Sequence, residues 1–176
     1  MFSALLEPAS DRHFCCSVSV GHWFVGDFKG LDWQATRFTS GMATTLSADA
    51  LNQLTSTVLA SAIKIHRKVG PGLLESAYTA CLCYELDRAR CRIETQKLLP
   101  LIYDGLHIDC AYRADIVVEG AVIVEVKALD AIARVHLRQL RTYTVLADCR
   151  VGLLLNFGAP TLKDGIKRVV NGFPER

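Results

Sequence analysis

An α/β domain, with a mixed sheet between helical layers, is the fold class that the sequence predicts, and three observations carry it. Leu51, Leu54, Val58, Ala62, Ile65 and Val69 recur at three- and four-residue steps, the period of an amphipathic helix. Between Ile93 and Lys127 the pattern becomes that of strands. Val151 to Phe157 is an apolar run broken only by Asn156, as in a strand covered on both faces. Helices and strands in this mixture pack as layers around a sheet.

The elements follow in order. Ser47 or Asp49 offers an N-cap for the first helix, and Gly70-Pro71-Gly72 ends it, because proline cannot continue a helix and glycine tolerates the turn. A second helix is expected from about Leu74 to Arg90, with Leu74, Tyr78, Leu82 and Leu86 on one side. Ile93 to Tyr103 is a strand whose Pro100 points to an edge position. Asp104-Gly105 signals a hairpin into Leu106 to Val118. A turn at Glu119-Gly120 leads to a strand over Ala121 to Lys127. Ile132 to Ala147 reads as a helix, Val151 to Phe157 as a buried strand and Gly165 to Val170 as a final strand.

Before this periodic region the chain has another character. Residues 1–41 hold both tryptophans, scattered glycines and no sustained period, and Met42 precedes Ala-Thr-Thr-Leu-Ser. The sequence therefore predicts a poorly ordered extension, 1–41, that need not belong to the mature protein, and one domain, 42–176. With 51% hydrophobic and 22% charged residues, the composition is globular and excludes a disordered or collagen-like chain. A net charge of +2 is compatible with nucleic acid without demanding it, so a basic footprint has to be local. No run reaches the ~20 apolar residues of a membrane span, and the start lacks the basic region of a secretory signal. Seven cysteines, none in a C-x-x-C pair, are expected as reduced thiols of a cytoplasmic protein.

Charge inside apolar strands marks the candidate chemistry. Asp115 and the pair Glu125-Val126-Lys127 lie in otherwise apolar strands, where charge is expensive unless it is paired or bound to a cation. Glu125 and Lys127 are two apart and share a face. Register decides whether Asp115 joins them. A two-residue loop at Glu119-Gly120 turns it away from Glu125, whereas a three-residue loop, Glu119-Gly120-Ala121, sets it opposite. Two neighbouring carboxylates repel, and a hard divalent cation such as Mg²⁺ relieves that repulsion. Such a cation activates water and polarises a phosphate, and Lys127 beside it can orient the water or neutralise developing charge. The competing reading is a salt bridge within the sheet.

Further motifs extend the pattern. Gly72-Leu-Leu-Glu75-Ser-Ala-Tyr78 reads G-x-x-E-x-x-Y, Asp115 with Glu125-x-Lys127 reads D…E-x-K, and Gln139-Leu-Arg-Thr-Tyr143 reads Q-x-x-x-Y. With Asp109-Cys-Ala-Tyr-Arg-Ala-Asp115 and Leu154-Leu-Asn156-Phe, these segments closely resemble the GxxExxY protein family, placed in the PD-(D/E)XK nuclease superfamily. The resemblance covers about residues 47–171, and Ala114 stands where the superfamily motif has proline. It implies a restriction-endonuclease-like α-β-β-β-α-β core. It also implies Mg²⁺ (or Mn²⁺) held by Asp115 and Glu125, with Glu75 as a further acid of the site and Lys127 assisting the attacking water. Gln139 and Tyr143, one helical turn apart, are expected to support the site or touch nucleic acid. The implied activity is hydrolysis of phosphodiesters in nucleic acid, with DNA favoured and no membrane involved. Small nucleases of this fold often dimerise, so a homodimer is compatible with the resemblance.

Several residues keep simpler readings. Tyr78 is expected to pack the core rather than to react. His66 and His107 read as surface or turn residues, and His136 is a weak candidate for the cleft. Arg134, Arg138 and Arg141, with Lys163, Lys167 and Arg168, are either a phosphate-binding rim or ordinary solvated charge. Two non-enzymatic readings stand beside the nuclease: a silent nucleic-acid-binding or regulatory module on the same fold, and a protein-interaction subunit whose charges only stabilise the sheet.

Overall fold

The computed structural model describes residues 46–172, so the expected extension 1–41 and its boundary lie outside the described residues. Helices α1 (Ala48–Val69) and α2 (Glu75–Arg88) precede strands β1 (Ile93–Tyr103), β2 (Leu106–Val118) and β3 (Val122–Lys127). Helix α3 (Arg134–Leu146) and strands β4 (Val151–Asn156) and β5 (Ile166–Val170) follow. The strands form one sheet in the order β1-β2-β3-β4-β5. β3 and β4 are parallel and the other neighbours antiparallel, which makes the sheet mixed, as the sequence predicts. The α-β-β-β-α-β core is present, with one helix before it and one strand after it.

Local chemistry sets the boundaries. Ser47 caps α1, its Oγ accepting from the Ala50 N–H at 3.2 Å. Gly70, at φ 67, ends the helix with its N–H donating to His66 O. Tyr78 then secures the turn that follows. Its hydroxyl donates to Gly70 O at 2.7 Å and accepts from the Leu73 N–H at 3.1 Å, while its ring stacks on Phe157 at 4.3 Å. Tyr78 is thus a core residue, as expected, and it fixes the approach to Glu75.

His66 departs from its expected surface position. It is buried, with Nε2 3.0 Å from Ala159 O, because the end of α1 packs on the segment after β4. Helix α3 begins two residues later than the apolar period suggests. The His136 Nδ1 accepts from the Ala133 N–H at 3.2 Å, which defines the first turn after Ile132.

Two apolar layers cover the sheet. Ile116, Val118, Val122, Val124, Val126, Val151 and Leu153 pack under α1 and α2 with Leu51, Val58, Tyr78 and Leu82. Val117, Ile123 and Leu154 pack under α3 with Leu140 and Tyr143. Burying the largest of these side chains stabilises by roughly 1.5–3 kcal/mol each. Among the described residues, no helix is long and apolar enough to cross a membrane.

Pro100 interrupts β1, and the β1–β2 register shifts between Leu99 and Leu101, at what is the edge of the sheet among the described residues, as proline predicts. Tyr103 pairs with Leu106 across Asp104 (φ 50) and Gly105 (φ 83), the two-residue hairpin that Asp-Gly favours. β2 pairs with β3 only over Ile116 to Val118. The rest of the hairpin is a two-stranded ribbon leaving the sheet.

Candidate active site at the β2–β3 junction

The β2–β3 loop has the odd length that brings the acids together. Val118 pairs with Val122, so Glu119, Gly120 and Ala121 form the connection, and the Ala121 N–H donates to Val118 O at 3.0 Å. Glu119 and Gly120 both take positive φ, 51 and 62. Continuing the register one step past Ile116–Val124 sets Asp115 across from Glu125.

At that step β2 separates from β3 and its alternation breaks. Ala114 packs with the α3-side cluster and Ile116 with the α1/α2-side cluster, although a strict period of two gives them one face. On β1 Gln96, between the pairs Thr95–Ile116 and Lys97–Ala114, takes φ 51. Asp115 fills the gap that results. Its Oδ2 accepts from the Val126 N–H at 3.0 Å and its Oδ1 from Gln96 Nε2 at 3.2 Å.

Glu125 is 5% exposed, on a strand paired to buried β4 through Leu154. Its Oε1 accepts from Lys127 Nζ at 3.0 Å, whereas Oε2 is buried with no hydrogen-bond partner. Burial, with the charge of Asp115 added, outweighs the lysine and pushes the Glu125 carboxyl up to about 7. For Lys127 burial acts the other way, favouring the neutral amine. The Glu125 charge and hydrogen bond, with Glu75 and Asp115, outweigh it, and the ammonium titrates above its ordinary value. The two partners differ because Glu125 is the more deeply buried and faces one ammonium, while Lys127 faces three carboxylates.

Glu75 reaches the same end of β3 from the first turn of α2, its Oε1 accepting from the Ala128 N–H at 3.1 Å. On α3, Gln139 Nε2 donates to the Tyr143 hydroxyl at 2.6 Å. Burial and then the charge of Glu125 push the Tyr143 hydroxyl up to about 12, so it stays protonated. Asp115, Glu125 and Lys127 therefore converge, Glu75 borders the lysine, and the Gln139–Tyr143 pair lies within reach of the acids' field.

Two residues without a role in the sequence reading hold this arrangement. Gln96 steadies Asp115, and nothing in its local pattern marks it. Asn156 fixes the backbone beyond Lys127: its Oδ1 accepts from the N–H groups of Leu129 (2.8 Å) and Gly158 (3.2 Å), and its Nδ2 donates to Leu129 O (2.7 Å). An amide closing an apolar run was the available signal.

Arg168 stands apart from the rest of the expected basic rim. Arg134, Arg138 and Arg141 lie three and four apart along α3, but Arg168 bonds Asn52 of α1 at 3.2 Å on the opposite side of the sheet. His136 is engaged in capping α3.

The residues present suit a hard divalent cation. A buried carboxylate oxygen without a donor, beside a second carboxylate, leaves a desolvated negative charge that oxygen-seeking cations compensate. Among the described residues, no group of three His, Cys, Asp or Glu side chains stands ready to hold a metal. The acids expected as ligands are Asp115 and Glu125, which adjoin, and Glu75, which borders Lys127.

No curated protein and no solved structure matches the chain. A family model described as the PD-(D/E)XK nuclease superfamily matches residues 52–169, from α1 to β5. That span contains the mixed sheet, its flanking helices and the D…E-x-K residues at one junction, and the chain belongs to the PD-(D/E)XK nuclease superfamily.

Proposed function

We propose that this protein is a Mg²⁺- or Mn²⁺-dependent nuclease hydrolysing phosphodiester bonds, with DNA as its substrate, and that it represents the GxxExxY branch of the superfamily. The observation that carries the reading is the orphaned Oε2 of Glu125 beside Asp115. Nucleases of this superfamily generally use divalent metals. Asp115 and Glu125 would hold the cation, with Glu75 as a further acid. When bound, it supplies activated water and charge neutralisation at the phosphate.

The chain's own groups do the rest. Lys127, cationic at neutral pH, offers its ammonium protons to the water or to charge growing on the phosphate. The hydrogen bonds from Gln96 and Val126 orient the Asp115 carboxylate. Gln139 holds the Tyr143 hydroxyl, whose neutral proton remains available to an anion.

One observation favours the silent-module reading. The Lys127–Glu125 ion pair and the two bonds to Asp115 already partner most of the site without a cation. Calorimetry with Mn²⁺ or Mg²⁺ separates the two, comparing wild type with the variant carrying both Asp115→Asn and Glu125→Gln. Binding by the wild type that vanishes in a folded variant, together with metal-dependent cleavage of DNA, is the expected result. A folded wild type that binds DNA but neither takes up metal nor cleaves favours the silent module.

A further inference from the structure

The ribbon that leaves the sheet at Asp115 differs from what a phosphate-binding arm needs. From Lys97 to Arg113 its formal charges cancel, Lys97 and Arg113 against Asp104 and Asp109. Its exposed side chains include Leu98, Tyr103, Leu106 and Ile108. Both cations stand at its base, next to Asp115, and both aspartates farther out, where the arm has no lysine or arginine for a polyanion.

Tyr112 stands near the base of the ribbon, on the side of the acids' neighbour Tyr143. It stands on β2 three residues before Asp115, paired across the ribbon with buried Leu99. Its ring lies 5.3 Å from that of Tyr143, tilted by 55°, and Tyr143 is in turn fixed by Gln139. One side of Tyr112 is thus held by a rigid, buried neighbour, yet the residue is 37% exposed. An aromatic ring anchored on one side and open on the other is a platform for a flat ligand.

We infer that Tyr112 stacks an unpaired nucleobase flanking the scissile phosphate, so that the substrate is a single strand or a frayed end and not an intact duplex. The inference rests on the nuclease reading of the adjoining acids and names the form of nucleic acid they act on. Stacking uses the face of a base, which is available in a single strand and covered inside a duplex. Carboxylates repel phosphates, and an aromatic contact adds affinity without adding charge that would pair with those carboxylates.

The test is binding of a short single-stranded DNA carrying a fluorescent adenine analogue at successive positions, in calcium or in chelator, so that binding is read without cleavage. With the full chain, the analogue is expected to be quenched at one position, and the single strand to bind tighter than its duplex. Tyr112→Phe should keep both properties. Tyr112→Leu, checked for folding by circular dichroism and melting, should lose the quenching and bind about fivefold to a hundredfold more weakly. Equal binding of duplex and single strand by the wild type overturns the inference without recourse to any variant, as does unchanged quenching in Tyr112→Leu. Stacking without later metal-dependent cleavage would keep the contact of Tyr112 with an unpaired base and remove the nuclease reading, and the scissile phosphate with it. Cleavage with no preference for unpaired DNA would do the reverse.

Discussion

The Glu125 carboxyl is pushed up to about 7 by burial and by Asp115, against an ordinary value of 4.5. Between those values the folded chain holds a proton that the unfolded chain has released, so stability falls as pH rises through this window. At 1.36 kcal/mol per unit the effect is on the order of 1–3 kcal/mol. In chelator, urea denaturation of the wild type is expected to show lower stability at about pH 8 than at about pH 5, while Glu125→Gln shows no such loss. A wild type that is more stable at the higher pH would mean that Oε2 is compensated within the fold. The same charge that folding disfavours is the one a cation would use. This conflict made Asp115, Glu125 and Lys127 legible in the sequence, because ions stood in strands that otherwise pack a core. Gln96 and Asn156 were not legible as supports. Their roles depend on which backbone reaches them, and Asn156 meets a segment 27 residues away. His66 was misread for the same reason, since its partner Ala159 lies 93 residues on.

Among the elements, β4 and α3 set the position of the Gln139–Tyr143 pair. Gly152 lets them approach: a Cβ there would lie 2.8 Å from Thr144 Cγ2 and Val169 Cγ2 and 2.9 Å from Leu140 Cγ. Gly152→Ala is expected to destabilise by about 1–3 kcal/mol through overpacking. It should also displace α3, seen as a lower Tm with altered near-ultraviolet circular dichroism of the tyrosines. An unchanged Tm would show that α3 shifts freely and does not hold the pair rigidly. Element types were readable because each period persisted for several residues, and the boundaries moved by only one or two positions. The β2–β3 register was not readable from period alone. Two loop lengths fit the turn residues, and only the pairing of Val118 with Val122 in the folded sheet fixes the loop at three residues. The switch of faces around Asp115 left no trace in the alternation, because it arises from Gln96 on the neighbouring strand.

At the scale of the whole molecule, the resemblance reached the fold because its motifs mark both ends of the sheet, from α2 to β5. It did not reach the distribution of basic charge, in which Arg168 turns to α1 and away from the arginines of α3. A cation bound only by the folded chain adds about 2.7 kcal/mol at a hundredfold excess over its Kd. Mg²⁺ or Mn²⁺ is therefore expected to raise the Tm of the wild type and not that of Asp115→Asn with Glu125→Gln. A Tm indifferent to either ion at saturating concentrations would leave Glu125 as a structural ion-pair partner.

The irregular course of β1 has a consequence for life at high concentration. The outermost strand of a sheet is the place where copies of a chain add to one another and grow into fibrils. Pro100 presents no N–H there, the register slips beside it, and Gln96 turns its backbone to φ 51. The outer row of donors and acceptors is therefore broken where a recruited strand needs it continuous. An arm carrying Leu98, Tyr103 and Leu106 in water would otherwise be an aggregation hazard. The interruptions in its backbone allow those side chains to stay exposed without offering a template for growth.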